Sequence, residues 1–215
     1  MGWIQCKTPN TNDKTLVVYD ANGKPMKDWY GWCLAVTQQA FGVTKRKYAS
    51  AIDCWNASKT KHTDGGMNIP IGYYVPVFYE GGQYGHVVIC YRPTYEKVCV
   101  WSSPLTHKPY FDYFEGDPIK CLDSVGKKYG CHYVGWLEIL TDTRIIEWVN
   151  DPVEAKKEEE EKEKKAEEEL DKLIESVEKP VENPKETEKE DVENSNNLVI
   201  KLINRLINWL KSLIS

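Results

Sequence analysis

The sequence predicts an α+β domain at residues 1–149, followed by a charged linker at 150–195 and an amphipathic C-terminal helix at 196–215. Three observations carry this. Helical spacing of apolar residues is concentrated between 33 and 55, and from 73 to 103 it gives way to β-branched and aromatic runs broken by turn-forming clusters. Every tyrosine, histidine and cysteine, and every tryptophan except Trp209, lies before residue 150, so the core is N-terminal. Beyond Pro152 the composition turns abruptly to Glu and Lys.

In chain order, the first helix is expected near Cys33, where Cys33, Val36 and Ala40 recur at i, i+3 and i+7 and Gly42 supplies an end. A second is expected over Lys47–Trp55, where Tyr48, Ala51, Ile52 and Trp55 recur at spacings of three and four. YYVPVFYE, the turn GGQYG, HVVICYR, the turn PTYE and KVCVWSS then read as an antiparallel meander. CHYVGWLEIL adds at least one more strand. Helices followed by an antiparallel sheet define a compact α+β domain.

The segment EAKKEEEEKEKKAEEELDKLIESVEK favours helix, but its only apolar stripe is Ala166, Leu170, Leu173 and Val177, so it reads as a solvated helical spacer. PVENPKETEKEDVENSNN is expected to be disordered. In NLVIKLINRLINWLKSLIS, Ile200, Ile203, Ile207, Leu210 and Ile214 follow a 3-4-3-4 rhythm, with Lys201, Arg205 and Lys211 on the other side. Such a helix buries its apolar face against an anionic membrane surface, against copies of itself, or against another protein or its own domain.

The net charge of -5 divides unevenly. Residues 1–149 hold 16 Lys+Arg and 14 Asp+Glu, residues 150–193 hold 9 and 19, and the last 22 hold 3 and 0. The domain is nearly neutral and carries no electrostatic footprint for nucleic acid. The opening MGWIQCKTPN has no basic stretch leading into an apolar one, and no apolar run is long enough to span a bilayer. The chain is therefore expected to stay in the cytoplasm until another device releases it. Seven cysteines, an odd number with no compact framework, are expected to be mostly reduced thiols, and the sequon Asn56-Ala57-Ser58 is then a chance match.

Cys33 opens its helix in DWYGWCLAVTQQAFG. Unpaired backbone N–H groups and the positive end of the helix dipole favour thiolate there, and the same N–H groups can donate to a developing oxyanion. The best base is His86, delivered by the GGQYG turn to the first position of a strand on which His86, Val88 and Cys90 face one way and Val87, Ile89 and Tyr91 the other. An orienting partner is expected on the next strand, where alternation groups Ser102 with Val98 and Val100, and Ser103 with Cys99 and Trp101; Ser102 is preferred. The bland alternatives are an inert core thiol and a structural histidine.

WYGWC opening a helix, YASAIDCWN on a second, GYYVPVFYEGGQYGHVVICY across a hairpin and a terminal YVGWLEIL together resemble the CHAP domains of bacteriophage endolysins and tail-associated lysins, over residues 28 to 145. The resemblance implies a papain-like fold in which Cys33 attacks an amide carbonyl in the peptide part of peptidoglycan and His86 is the base. It implies an N-acetylmuramoyl-L-alanine amidase or endopeptidase, held in the host cytoplasm before release or carried in a virion. The C-terminal helix would then attach it to a membrane, to itself or to another virion protein. Members usually carry Gln immediately before the cysteine, where this chain has Trp32, and usually Glu or Asn after the histidine strand, where it has serines. Some bind calcium through acids before the cysteine; here Asp20, Asn22 and Asp28 read as a turn.

No cofactor or metal is expected, since no CxxC or HxxxH spacing occurs. His62 and His107 read as loop residues, His132 as structural on a strand, and Cys54, Cys90, Cys99, Cys121 and Cys131 as core. Trp29, Tyr30, Trp32, Tyr84 and Trp101 are expected around the groove. The rival function is a catalytically weak binding or structural module of the same fold, with the C-terminal helix as its working part.

Overall fold

The structure, a computed structural model, describes residues 1–168 apart from 67, 158, 159, 163, 166 and 167. The expected helix at 196–215, the disordered segment before it and the stripe from Ala166 to Val177 lie outside the described residues. The chain divides into Met1–Asn150 and Asp151–Ser215. In the second unit residues 152–157 are helical; Asp151 caps them by accepting from the N–H groups of Val153 (3.0 Å) and Glu154 (3.2 Å), with Pro152 at the first position.

The first unit runs β1 (Gly2–Gln5), α1 (Cys33–Ala40), α2 (Ala51–Ala57), β2 (Lys61–His62), β3 (Tyr74–Glu80), β4 (His86–Thr94), β5 (Lys97–Ser102), β6 (Asp112–Gly116), α3 (Pro118–Tyr129), β7 (His132–Leu137), β8 (Ile139–Leu140), β9 (Thr143–Arg144) and β10 (Ile146–Val149). The fold is mixed α+β. Its centre is the meander β3-β4-β5-β6, extended on the β3 side into a six-stranded sheet of order β2-β7-β3-β4-β5-β6, every pair antiparallel.

The helices depart from the sequence reading in two places, and strands β1, β2, β6, β9 and β10 add to it. The second helix begins at Ala51 rather than near Lys47, because Ser50 takes an extended conformation and its Oγ accepts from the Asp53 N–H at 3.2 Å. Tyr48 is left in the preceding loop. The 12-residue helix α3, which the sequence reading leaves out, begins at Asp117, whose side chain accepts from the Lys120 N–H at 3.0 Å. It ends at Gly130.

The sheet is covered on both faces. One buried cluster joins Leu34, Val36 and Ala40 of α1 and Trp55 of α2 to Val87 and Ile89; another joins Cys121, Leu122 and Val125 of α3 to Val88 and Cys90. Two-sided burial explains why β4 opens with an unbroken apolar run after His86 instead of an alternating one. Each such Val or Ile contributes roughly 1.5–3 kcal/mol by leaving water. A bulge in β7, where Phe78 pairs with Gly135 and Tyr79 with Tyr133, brings β2 close to the sheet; a Cβ at Gly135 (φ +146) would stand 2.1 Å from the His62 carbonyl oxygen.

Candidate active site

Strand alternation sends Val87 and Ile89 toward α1 and His86, Val88 and Cys90 toward α3. Cys33 and His86 therefore approach from opposite faces of the sheet. Both line a cleft of about 250 Å³ beside the turn before β4, together with Tyr84, Ser103, Tyr129 and Cys131. A second cleft of about 280 Å³ lies on the other side of Cys33, walled by Trp32, Leu34, Tyr48 and Tyr84 and carrying the Arg46 side chain. Both clefts include Gly31, Cys33 and Tyr84, so the cysteine stands between two halves of one groove.

Gly85 makes the delivery of His86 possible. Its φ of +62 is left-handed, and a Cβ there would stand 2.9 Å from the Tyr79 carbonyl oxygen and 3.2 Å from Ile52. The Tyr84 carbonyl accepts from the Ile52 N–H at 3.0 Å, which ties this turn to the start of α2.

His86 is buried, and its Nε2 lies 2.8 Å from Ser102 Oγ. Ser102 is the serine favoured by strand alternation, and it pairs in register between Val88 of β4 and Asp112 of β6. Its hydroxyl has one proton, directed at the Ser103 carbonyl oxygen at 3.1 Å. Ser102 Oγ is thus the acceptor for His86 Nε2–H, and a neutral imidazole with that tautomer keeps its lone pair on Nδ1. Burial drives the ring toward this neutral form, lowering its pKa from 6.5 to about 3.

The resting state of Cys33 differs from the sequence expectation of a thiolate. The residue is half-buried, but its sulfur is desolvated, and this pushes the thiol up to about 11. Hydrogen bonds from the backbone of Val87 and Leu34 pull the other way and are outweighed. An eight-residue helix offers its N–H groups to the sulfur, yet withdrawal from water costs the charged form more. Thiol and imidazole are therefore both neutral at rest.

Other residues move from their expected places. Trp29 is buried against Phe111, and Trp101 packs beside Tyr74 and Tyr113, so of the five aromatics only Tyr30, Trp32 and Tyr84 line the groove. Cys54, Cys90, Cys99 and Cys121 are buried; Cys131, also expected in the core, lines the cleft, because α3 ends beside it. The seven cysteines form no disulfide with one another. His62 belongs to β2, stacks on Trp136 at 3.7 Å and holds Glu138 at 2.8 Å, while His132 is exposed at the start of β7. His107 pairs with Asp28 at 2.5 Å. Asp20 accepts from the N–H groups of Asn22 and Lys24, as a turn residue does. Among the described residues no group of three or more His, Cys, Asp or Glu side chains is arranged to hold a metal ion.

Two further residues complete the surroundings of His86. The Tyr129 ring, at the end of α3, stacks on the imidazole with centroids 4.0 Å apart and planes 15° apart, and its hydroxyl reaches the Ser103 carbonyl at 2.7 Å and Asp112 Oδ2 at 3.1 Å. Asp112 is held by Lys108 at 2.7 Å and Lys128 at 2.9 Å. The sequence signal for Tyr129 was present in the caps of α3; nothing local to Asp112 marked it.

Compared with known protein families, curated proteins and solved structures, the chain shows no match.

Proposed function

We propose that Met1–Asn150 is a papain-like cysteine amidohydrolase of the CHAP type, which cuts an amide bond in the peptide part of bacterial peptidoglycan. The observation that carries this reading is the meeting of Cys33 and His86 in one cleft with Nε2 committed to Ser102. Nδ1 is then the nitrogen left to act as base.

With thiol and imidazole both neutral, proton transfer accompanies attack. Nδ1 takes the thiol proton as Sγ bonds to the amide carbonyl carbon, and the oxyanion develops near the Cys33 N–H at the start of α1. Collapse of the adduct expels the amine, which takes the proton from Nδ1 and leaves a thioester. Water, deprotonated by His86, then releases the carboxylic acid and restores the thiol. The two halves of the groove suit an extended substrate. The half beyond Trp32 has Arg46 as its charged lining residue, with Nη2 donating to the Tyr19 carbonyl and Asp20 nearby, and no acid in its own lining, so it suits the acidic portion of a stem peptide; the His86 half is lined by uncharged groups.

The reading places the site of action on the cell wall, after release from the host cytoplasm or from a virion, with residues 196–215 as the attachment element to a membrane, another copy or a virion protein. Its test is turbidity loss of purified cell walls. Wild type clears them, Cys33→Ala and His86→Ala fall at least a hundredfold, and Arg46→Glu raises KM for acidic stem fragments several-fold. Equal clearing by wild type, Cys33→Ala and His86→Ala removes the hydrolase. A second reading, a binding module that keeps the fold without turnover, is favoured by the protonated thiol and by Ser102 standing where a carboxylate or amide is common in the family. Wall binding without clearing selects it.

A further inference from the structure

Ser102 gives His86 a neutral hydroxyl as its partner, and a hydroxyl that rotates freely does not fix a tautomer. If Ser102 turned its proton toward Nε2, the lone pair would move to the wrong nitrogen and Nδ1 would carry the hydrogen. What holds the Ser102 proton away from the ring is the Ser103 carbonyl, and that carbonyl is itself held.

Four elements converge on this peptide. Ser102 ends β5 and pairs in register with Asp112, the first residue of β6. Tyr129 reaches in from the end of α3, with its ring on His86 and its hydroxyl proton shared between the Ser103 carbonyl at 2.7 Å and Asp112 Oδ2 at 3.1 Å. Burial raises the Tyr129 phenol, so it remains a donor. Burial also works against ionisation of Asp112, but its bonds to Lys108, Lys128 and Tyr129 outweigh this and hold its carboxyl below the usual range. The carboxylate is mostly buried, with 13% of its side chain exposed, and both its oxygens are engaged.

We propose that Tyr129 and Asp112 are positioning residues for His86: Asp112 fixes the Tyr129 hydroxyl, and Tyr129 clamps both the imidazole ring and the Ser103 carbonyl, so that Ser102 accepts from Nε2 and the base lone pair stays on Nδ1. The inference rests on the hydrolase reading for its consequence in catalysis, but the tautomer lock is a property of the resting molecule. It also accounts for the lack of a carboxylate or amide at position 102. The restraint that such a group would supply alone is distributed over a hydroxyl, a carbonyl, a phenol and a carboxylate two strands from the base.

The test uses the full chain labelled with nitrogen-15 in histidine, as wild type, Tyr129→Phe, Asp112→Asn and, as a control, Tyr113→Phe, a tyrosine of β6 whose hydroxyl bonds to Glu115 instead. Two quantities are read: the His86 tautomer and titration midpoint, and kcat and KM on solubilised cell wall. The titratable groups packed around His86 are Tyr79 from β3, Cys33 of the same cleft, Tyr129 from α3 and Cys131 before β7, with Asp112 and its two lysines on the hydroxyl of Tyr129. Wild type and Tyr113→Phe are expected to show the single Nε2–H form. Tyr129→Phe keeps the stacked ring and loses the clamp; it is expected to show both tautomers and a kcat about tenfold lower with KM within twofold. Asp112→Asn should move both readouts in the same direction by about threefold.

A single unchanged tautomer and unchanged kcat in Tyr129→Phe overturn the proposal even if wild type clears walls. A tautomer that shifts in Tyr129→Phe while wild type clears nothing upholds the lock and removes the hydrolase.

Discussion

At the scale of single residues, burial decides the state of the site more than the helix start does. The thiol of Cys33 is pushed up to about 11 and His86 down to about 3, in each case chiefly by desolvation. This state was not legible in the sequence. Position 33 showed a helix N-terminus, but the walls that dry the sulfur and the ring come from Tyr84, Ser103 and Tyr129, distant in the chain. The shift on His86 makes a stability prediction. Above pH 6.5 the folded and unfolded states both hold it neutral, and its contribution is complete. As pH falls below 6.5 the unfolded chain takes up a proton that the folded chain refuses until about 3, so stability declines with acid across that window. The slope approaches 1.4 kcal/mol per pH unit, or about 3 kcal/mol by pH 4.5, a difference that comparison with a variant lacking the imidazole separates from the carboxylates titrating in the same range. Urea unfolding of wild type and His86→Gln between pH 7 and 4.5 checks this. The variant is expected to be flatter by that amount, and a parallel decline in both proteins would show His86 to be solvated.

At the scale of elements, the strands of the meander could be read from the β-branched and aromatic runs YYVPVFYE, HVVICYR and KVCVWSS between turn-forming clusters, whereas the face that Ser102 shares with His86 follows from the register that pairs it with Val88. The helix that escaped was carried by caps rather than periodicity. Asp117 and Pro118 open α3, Lys127 and Lys128 occupy its last turn and Gly130 follows; those signals, in DPIKCLDSVGKKYG, were sufficient to find it, and with it Tyr129. Ser50 similarly marks where α2 begins. The turn before β4 is the element on which the site depends most, since Gly85 is both left-handed and in close contact with Tyr79 and Ile52. Gly85→Ala should cost about 1–2 kcal/mol for the backbone conformation alone, with a further penalty from displacing the turn. Because the displaced residue is His86, activity is expected to fall more than the stability loss explains. Thermal unfolding together with cell-wall clearing, measured well below the variant's midpoint, separates the two effects. A variant that loses stability but keeps full clearing would show that His86 does not need this turn.

At the scale of the whole molecule, the groove, the hydrogen-bonded surroundings of His86 and both buried clusters lie within Met1–Asn150, and the chain divides after Asn150. Both clusters are built, among the described residues, from the first unit alone, and the linker is strongly acidic in composition. Among the described residues no helix is long and apolar enough to cross a membrane. The proposed attachment by residues 196–215 is tested by removing that segment. A chain ending at Asn150 is predicted to unfold within about 2 °C of the full-length protein and to cleave solubilised wall fragments with the same kcat/KM, because both buried clusters and both clefts are lined by described residues of the first unit. On intact cells or lipid-covered walls it should clear several-fold more slowly, since local concentration is what a tether supplies. Calorimetry and parallel assays on the soluble and particulate substrates decide this. A large drop in the midpoint would place part of the stabilising surface beyond residue 150, and equal clearing of both substrates would deny the C-terminal segment any role in attachment.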